Sequence, residues 1–140
     1  MTSKSRRSHL LLASFFFWAY MATAQSADNL DSLKLFAEAE KSVGNEINFM
    51  IDYARTVGAA AVARNDDTLL KNAFDRYRHI YEQVPQNVRN LQNWAMTLYQ
   101  KERYSEAWAK IKLAEATPNK NQINPRFLSE LEAHMPRPQS

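Results

Sequence analysis

The chain has 140 residues, 18 basic and 15 acidic side chains, two glycines and no cysteine. The absence of thiols excludes disulfides, thiolate metal sites and the acylated cysteine of a lipoprotein leader. The scarcity of glycine leaves little means of bringing successive backbone amides up to a phosphate.

In chain order, Lys4, Arg6 and Arg7 precede an apolar run from Leu10 to Met21, followed by Ala22-Thr23-Ala24. The run is shorter than the ~20 residues a membrane-crossing helix needs, and the small-x-small triplet suits a signal peptidase pocket. A cleavable signal peptide over residues 1–24 is therefore expected, with an uncleaved anchor as the alternative. Cleavage before Gln25 takes the basic count from 18 to 15, equal to the acidic count. The sequence pI of about 9.2 then no longer argues for nucleic acid or an anionic membrane as partner. No Asn-x-Ser/Thr acceptor occurs. The expected location is the periplasm, or alternatively the medium, with no stable membrane insertion after cleavage.

Beyond the leader, apolar residues recur at helical spacing in every segment, which predicts an all-α protein. A first helix is expected from a cap at Asp28 or Asn29, with Leu30, Leu33, Phe36, Ala37 and Val43 on one stripe, weakening at Gly44-Asn45. A second spans about 46–64, with Ile47, Met50, Ile51, Ala54, Val57 and Ala61 inward. Asn65-Asp66-Asp67 reads as a turn and a new cap. The third helix, about 68–84, stops at Pro85, and the fourth covers about 88–101 with Leu91, Trp94, Ala95 and Leu98 inward. The fifth, about 104–116, ends before Pro118, and a polar loop leads to a short helix capped by Asn124 with Pro125 at its first position. Residues 136–140 are expected to fray.

Leu91, Trp94, Ala95, Leu98, Tyr104, Ala107, Ile111, Ala114 and Pro118 together resemble one tetratricopeptide repeat, Tyr104-Ser105-Glu106-Ala107 being the best match. One period upstream, Leu70, Ala73, Tyr77, Ile80 and Pro85 resemble the second helix of a preceding repeat, with Val57, Ala60 and Ala61 in its first helix. Arg64 falls there where a large aromatic belongs. The resemblance divides the mature chain into an extension over 25–53, two repeats over 54–121, and a capping helix with a disordered tail over 122–140. A plain four- to six-helix bundle is the alternative, and both are built of antiparallel helical hairpins.

What the resemblance implies is a concave groove lined by the first helix of each hairpin, in which a partner's peptide segment lies. The groove positions fall on Arg89, Gln92, Asn93, Met96, Tyr99 and Gln100 in the better repeat, and on Arg55, Val62 and Asn65 in the poorer one. An Asn with a basic neighbour one turn away, as Asn93 with Arg89, is the family's means of clamping a ligand's backbone or carboxylate. Polar residues on an exposed helix face are otherwise merely solvated.

No pattern for catalysis or metal binding stands out. Of the mature protein's histidines, His79 lies on a helix with Glu82 one turn on, and His134 near a helix C-terminus where a cation is favoured. The acidic pairs Glu38/Glu40, Asp66/Asp67 and Glu130/Glu132 would need a desolvated member to run acid–base chemistry, and they read as exposed or capping. The aromatic residues fall mostly on core stripes rather than on a stacking platform. The expectation is a non-enzymatic adaptor or assembly factor, without cofactor, that binds a protein or peptide of the cell envelope. A small secreted inhibitor or immunity-type protein is the alternative, and a hydrolase using paired acids is a third. Two repeats leave an apolar end to be capped or closed by a homodimer.

Overall fold

A computed structural model describes residues 32–139 of the chain. The expected signal peptide and the cap at Asp28 or Asn29 lie outside the described residues. Within them the protein is all-helical: α1 covers 32–43, followed by α2 (Ile47–Arg64), α3 (Asp67–Gln83), α4 (Val88–Gln100), α5 (Tyr104–Glu115), a 3-10 turn (Lys120–Gln122) and α6 (Pro125–His134). Helix boundaries agree with the sequence reading to within one or two residues, apart from the polar loop, which contains the 3-10 turn.

Each boundary has a local cause. At the end of α2, Asn65 adopts the left-handed conformation (φ 49°) and its N–H turns back to the carbonyls of Ala61 and Val62, an ending that Asn tolerates better than most residues. Asp66 then caps α3, its carboxylate accepting from the N–H groups of Thr68 and Leu69, both at 3.0 Å. Val84, turned out of the helical conformation before Pro85, ends α3. Glu102 (φ 62°) ends the α4 turn as Asn65 does for α2, and the N–H of Arg103 reaches the Leu98 carbonyl at 2.9 Å. Asn124 caps α6 by accepting from the Arg126 N–H at 2.9 Å.

The helices pair as two antiparallel hairpins, α2 with α3 and α4 with α5, joined by contacts of α4 with both α2 and α3. One core lies inside the first hairpin, around Ile51, Ala54, Val57, Ala73, Tyr77 and Ile80, with Phe36 of α1 packed against it. The other lies between α4, α5 and α6, around Leu91, Ala95, Leu98, Ala107, Ile111 and Phe127. Phe74 and Trp94 border both. Ala95, Ala107 and Ala114 are wholly buried, which lets the second hairpin's backbones approach closely. Ala37, expected inward, is exposed on α1, and Leu35 beside it is 71% exposed.

Residues 135–137 make contacts that a fraying tail would lack. The Trp108 indole donates to the Met135 carbonyl at 2.9 Å. Arg137 lies over the Trp108 ring at 4.5 Å and pairs with Glu115.

Other basic side chains are engaged in the same way. Arg76 pairs with Glu40 at 2.9 Å while lying over the Tyr53 ring at 3.8 Å. Arg78 pairs with Asp75 at 2.8 Å, and the Lys110 ammonium sits 3.8 Å above the Trp94 ring. No helix among the described residues is long and apolar enough to cross a membrane.

Candidate functional site

The site is defined by the seam between α2 and α4. Asp52 of α2 binds Arg89 of α4, Gly58 faces Thr97, and the Asn65 carboxamide accepts from the Lys101 ammonium at 2.9 Å. Each pair joins a residue of the first hairpin to one about a hairpin further along the chain, in the same order on both helices. The two first helices therefore run parallel.

At the middle of the seam no side chain separates the helices. A Cβ built on Gly58 would lie 2.5 Å from the Tyr77 hydroxyl and 2.8 Å from the Thr97 Oγ1. Those two oxygens are themselves 2.8 Å apart. Because the Thr97 hydroxyl donates to the Asn93 carbonyl at 3.1 Å, the Tyr77 hydroxyl is the donor to Thr97. This relay of two hydrogen bonds locks α3 to α4 beneath α2. Burial pushes the Tyr77 phenol up to about 12, opposed by its bond to Thr97 and by the nearby charge of Arg55.

One turn before that junction, Arg55 and Asn93 occupy the same level of the seam. Arg55 stands three residues from both Asp52 and Gly58 on α2, and Asn93 four residues from both Arg89 and Thr97 on α4. Helical spacing therefore turns both toward the interval between two points where the helices touch. Arg55 is exposed and forms no salt bridge with a described residue. Asn93 is 9% exposed, and its Nδ2 donor is buried without a hydrogen-bond partner. Leaving such a donor unsatisfied costs about 1–3 kcal/mol.

The remaining groove residues are divided between lining and support. Arg89 is engaged by Asp52, in a pair whose side chains are 51% and 42% exposed. Gln92 accepts from the Asn124 N–H at 2.6 Å and so anchors the start of α6. Tyr99 belongs to the core, edge-on to Phe127 at 5.7 Å and to His134 at 5.1 Å. Burial raises its phenol to about 12, with the Glu130 charge acting in the same sense. Met96, Gln100 and Val62 are half-buried along the groove, and Asn65 is exposed and held by Lys101.

Sequence reasoning missed Asp52, Gly58, Tyr77 and Thr97 as parts of this site. The signal that would have found Asp52 is the seam register, since a residue 37 positions before Arg89 faces it, whereas a repeat period of 34 aligns Arg89 with Arg55. Asn90 was likewise missed. Its amide donates to the Tyr77 carbonyl at 3.0 Å while its Oδ1 is unpartnered, but at 1% exposure it is sealed inside.

A second concavity, of about 560 Å³, lies against α1 and α3. Most of its charged side chains are already engaged: Arg76 holds Glu40 and Asn72, Lys71 holds Asp75, and His79 meets Gln83 at 2.8 Å. Among the described residues no group of three or more His, Asp or Glu is placed to hold a metal ion.

The class these features define is an all-α protein of stacked antiparallel hairpins with a polar seam between its first helices. No protein-family model, curated protein or solved structure matches the chain.

Proposed function

We propose that the protein is an exported, non-enzymatic interaction module of tetratricopeptide type that receives a peptide segment of a cell-envelope protein in the groove between α2 and α4. The reading that fits the N-terminus best is periplasmic, after removal of residues 1–24. The observation that carries the binding reading is the unsatisfied Asn93 Nδ2, nine-tenths buried and level with the unpaired Arg55. A neutral donor and a guanidinium at one level suit a carboxylate, whose two oxygens accept from both. Met96 and Val62, half-buried alongside, offer apolar contact to the flanking side chains of an extended peptide.

The test is an NMR titration of the protein with N-acetylglycine, a small fragment that carries a peptide amide and a single free carboxylate. The Asn93 side-chain amide resonances are expected to shift in the wild type. Arg55→Ala is expected to weaken binding about tenfold, a loss of ~1.4 kcal/mol. Asn93→Leu is expected to weaken it similarly while raising the melting temperature of the free protein, because it removes an unsatisfied buried donor. Unchanged affinity in both variants would put the contact elsewhere.

A further inference from the structure

Resting on that reading of the groove, we infer that Asp52 is an internal competitor for the ligand's carboxylate and sets the affinity of the groove for acidic segments. Its carboxylate already binds the Arg89 guanidinium across the seam, as an acidic ligand group would. Arg89 and Asn93 are four residues apart on α4, so one face of that helix presents a masked cation and, one turn on, an unsatisfied donor. Asp52 satisfies the first and leaves the second unpaired.

An incoming carboxylate able to accept from both Asn93 and Arg89 makes one more hydrogen bond than Asp52 makes. The pair it must displace is about half exposed on both sides, and exposed ion pairs contribute little to stability. Exchange is therefore inexpensive. It is not free, because the displaced Asp52 stays beside the ligand as a like charge, and like-charge juxtaposition is what proteins use to reject a partner.

The groove is accordingly tuned: Arg55, Arg89 and Asp52 together carry one net positive charge, so a segment with a single carboxylate is accepted and a strongly acidic one is held weakly. Neutralising Asp52 converts the same groove into one with two available guanidinium groups. Asp52 is thus a specificity-determining residue.

The experiment repeats the N-acetylglycine titration with Asp52→Asn and Asp52→Ala. Both substitutions lie at a half-exposed position and are expected to leave the melting temperature nearly unchanged. Both are expected to lower the dissociation constant about fivefold. Arg89→Ala is expected to weaken binding in the wild-type background, where it also leaves Asp52 unpaired beside the ligand, and to abolish the gain in the Asp52→Asn background. Asn93 shifts with the same dissociation constant in wild type and both Asp52 variants would overturn the competition while leaving the groove reading intact. Absence of any Asn93 shift in all of these proteins would overturn both.

Discussion

The two hairpins pack by partly different physical means. In α4/α5 the crossing is made by small apolar residues, Ala95, Ala107 and Ala114, all wholly buried and surrounded by Leu91, Leu98 and Ile111. The α2/α3 hairpin buries Ala54 and Ala73 in the same way, but it adds a polar contact where it meets α4: Gly58 exposes bare backbone to the hydrogen-bonded hydroxyls of Tyr77 and Thr97. An alanine crossing needs only that neighbouring residues be of the right size, and tolerates apolar exchange. A hydroxyl relay needs each member in place, because removing one leaves the other unsatisfied in a dry interior. The first hairpin is thus the less forgiving of substitution at that contact. It is also the one that carries half of the proposed groove.

The sharpest way to break the second hairpin's side of the comparison is Phe127→Ala. Phe127 is buried and packs edge-on against Tyr99, so its loss is expected to cost about 3–5 kcal/mol. Denaturant unfolding would measure the loss, and hydrogen exchange would show α6 opening before α2 and α3. A persistent α6 with unchanged stability would contradict the packing role given to that ring.

Both hairpins are expected to respond to alkali, the second through Tyr99 and the first through Tyr77. The Tyr77 phenol, ordinarily near 10, titrates at about 12 in the folded protein because burial disfavours its anion. Above pH 10 the unfolded chain therefore binds fewer protons than the folded one, and stability falls with rising pH until the folded phenol also ionises. The effect is full below pH 10 and lost by about pH 12, roughly 2–3 kcal/mol for a shift of this size. Thermal melts from pH 9 to 12 should show this decline in the wild type and a smaller one in Tyr77→Phe.

Gly58→Ala is the smallest and most specific perturbation. Alanine gains ~1 kcal/mol of intrinsic helix preference over glycine, yet its methyl would meet two hydroxyls held by hydrogen bonds. Overpacking of this kind costs about 1–3 kcal/mol, so a net loss near 1 kcal/mol is expected. Tyr77→Phe removes the nearer oxygen and is expected to relieve part of it. A double-mutant cycle showing simple additivity would mean that the glycine is not there for the Tyr77 hydroxyl.

Much of the fold was legible because its punctuation is chemical. Pro85 and Pro118 stop helices at defined places, Pro125 opens one at its first position, Asp66 and Asn124 are capping residues, and the apolar stripes of α2 to α6 follow a single helical period. The groove was legible only as a set of positions. Burial of Asn93 was not, since an amide on a polar helix face gives no sign that a second helix will cover it. Nor was the Asp52–Arg89 pair, because it depends on the offset between two helices that are separated in sequence by α3. Tyr99 and Gln92 were read as groove residues, whereas the structure engages the first in the α6 core and the second at the α6 cap. The ten residues of α6 show its cap and its apolar face but not the helix against which that face packs. Gly58, seen in sequence, was an unremarked glycine inside a helix.

The setting of the two indoles among the described residues makes the protein its own optical probe. Trp94 lies between the two cores, stacked 6.1 Å from Tyr77 and capped by the Lys110 ammonium. Trp108 instead holds the Met135 carbonyl and lies under Arg137. Indole emission responds to adjacent charge and to solvent, so the two rings carry separate messages. With Trp18 replaced by Phe as well, a Trp108→Phe protein would fluoresce from the junction of the hairpins, and a Trp94→Phe protein from the C-terminal strap. Loosening of the strap and parting of the hairpins would then be followed in one cuvette, with no label attached.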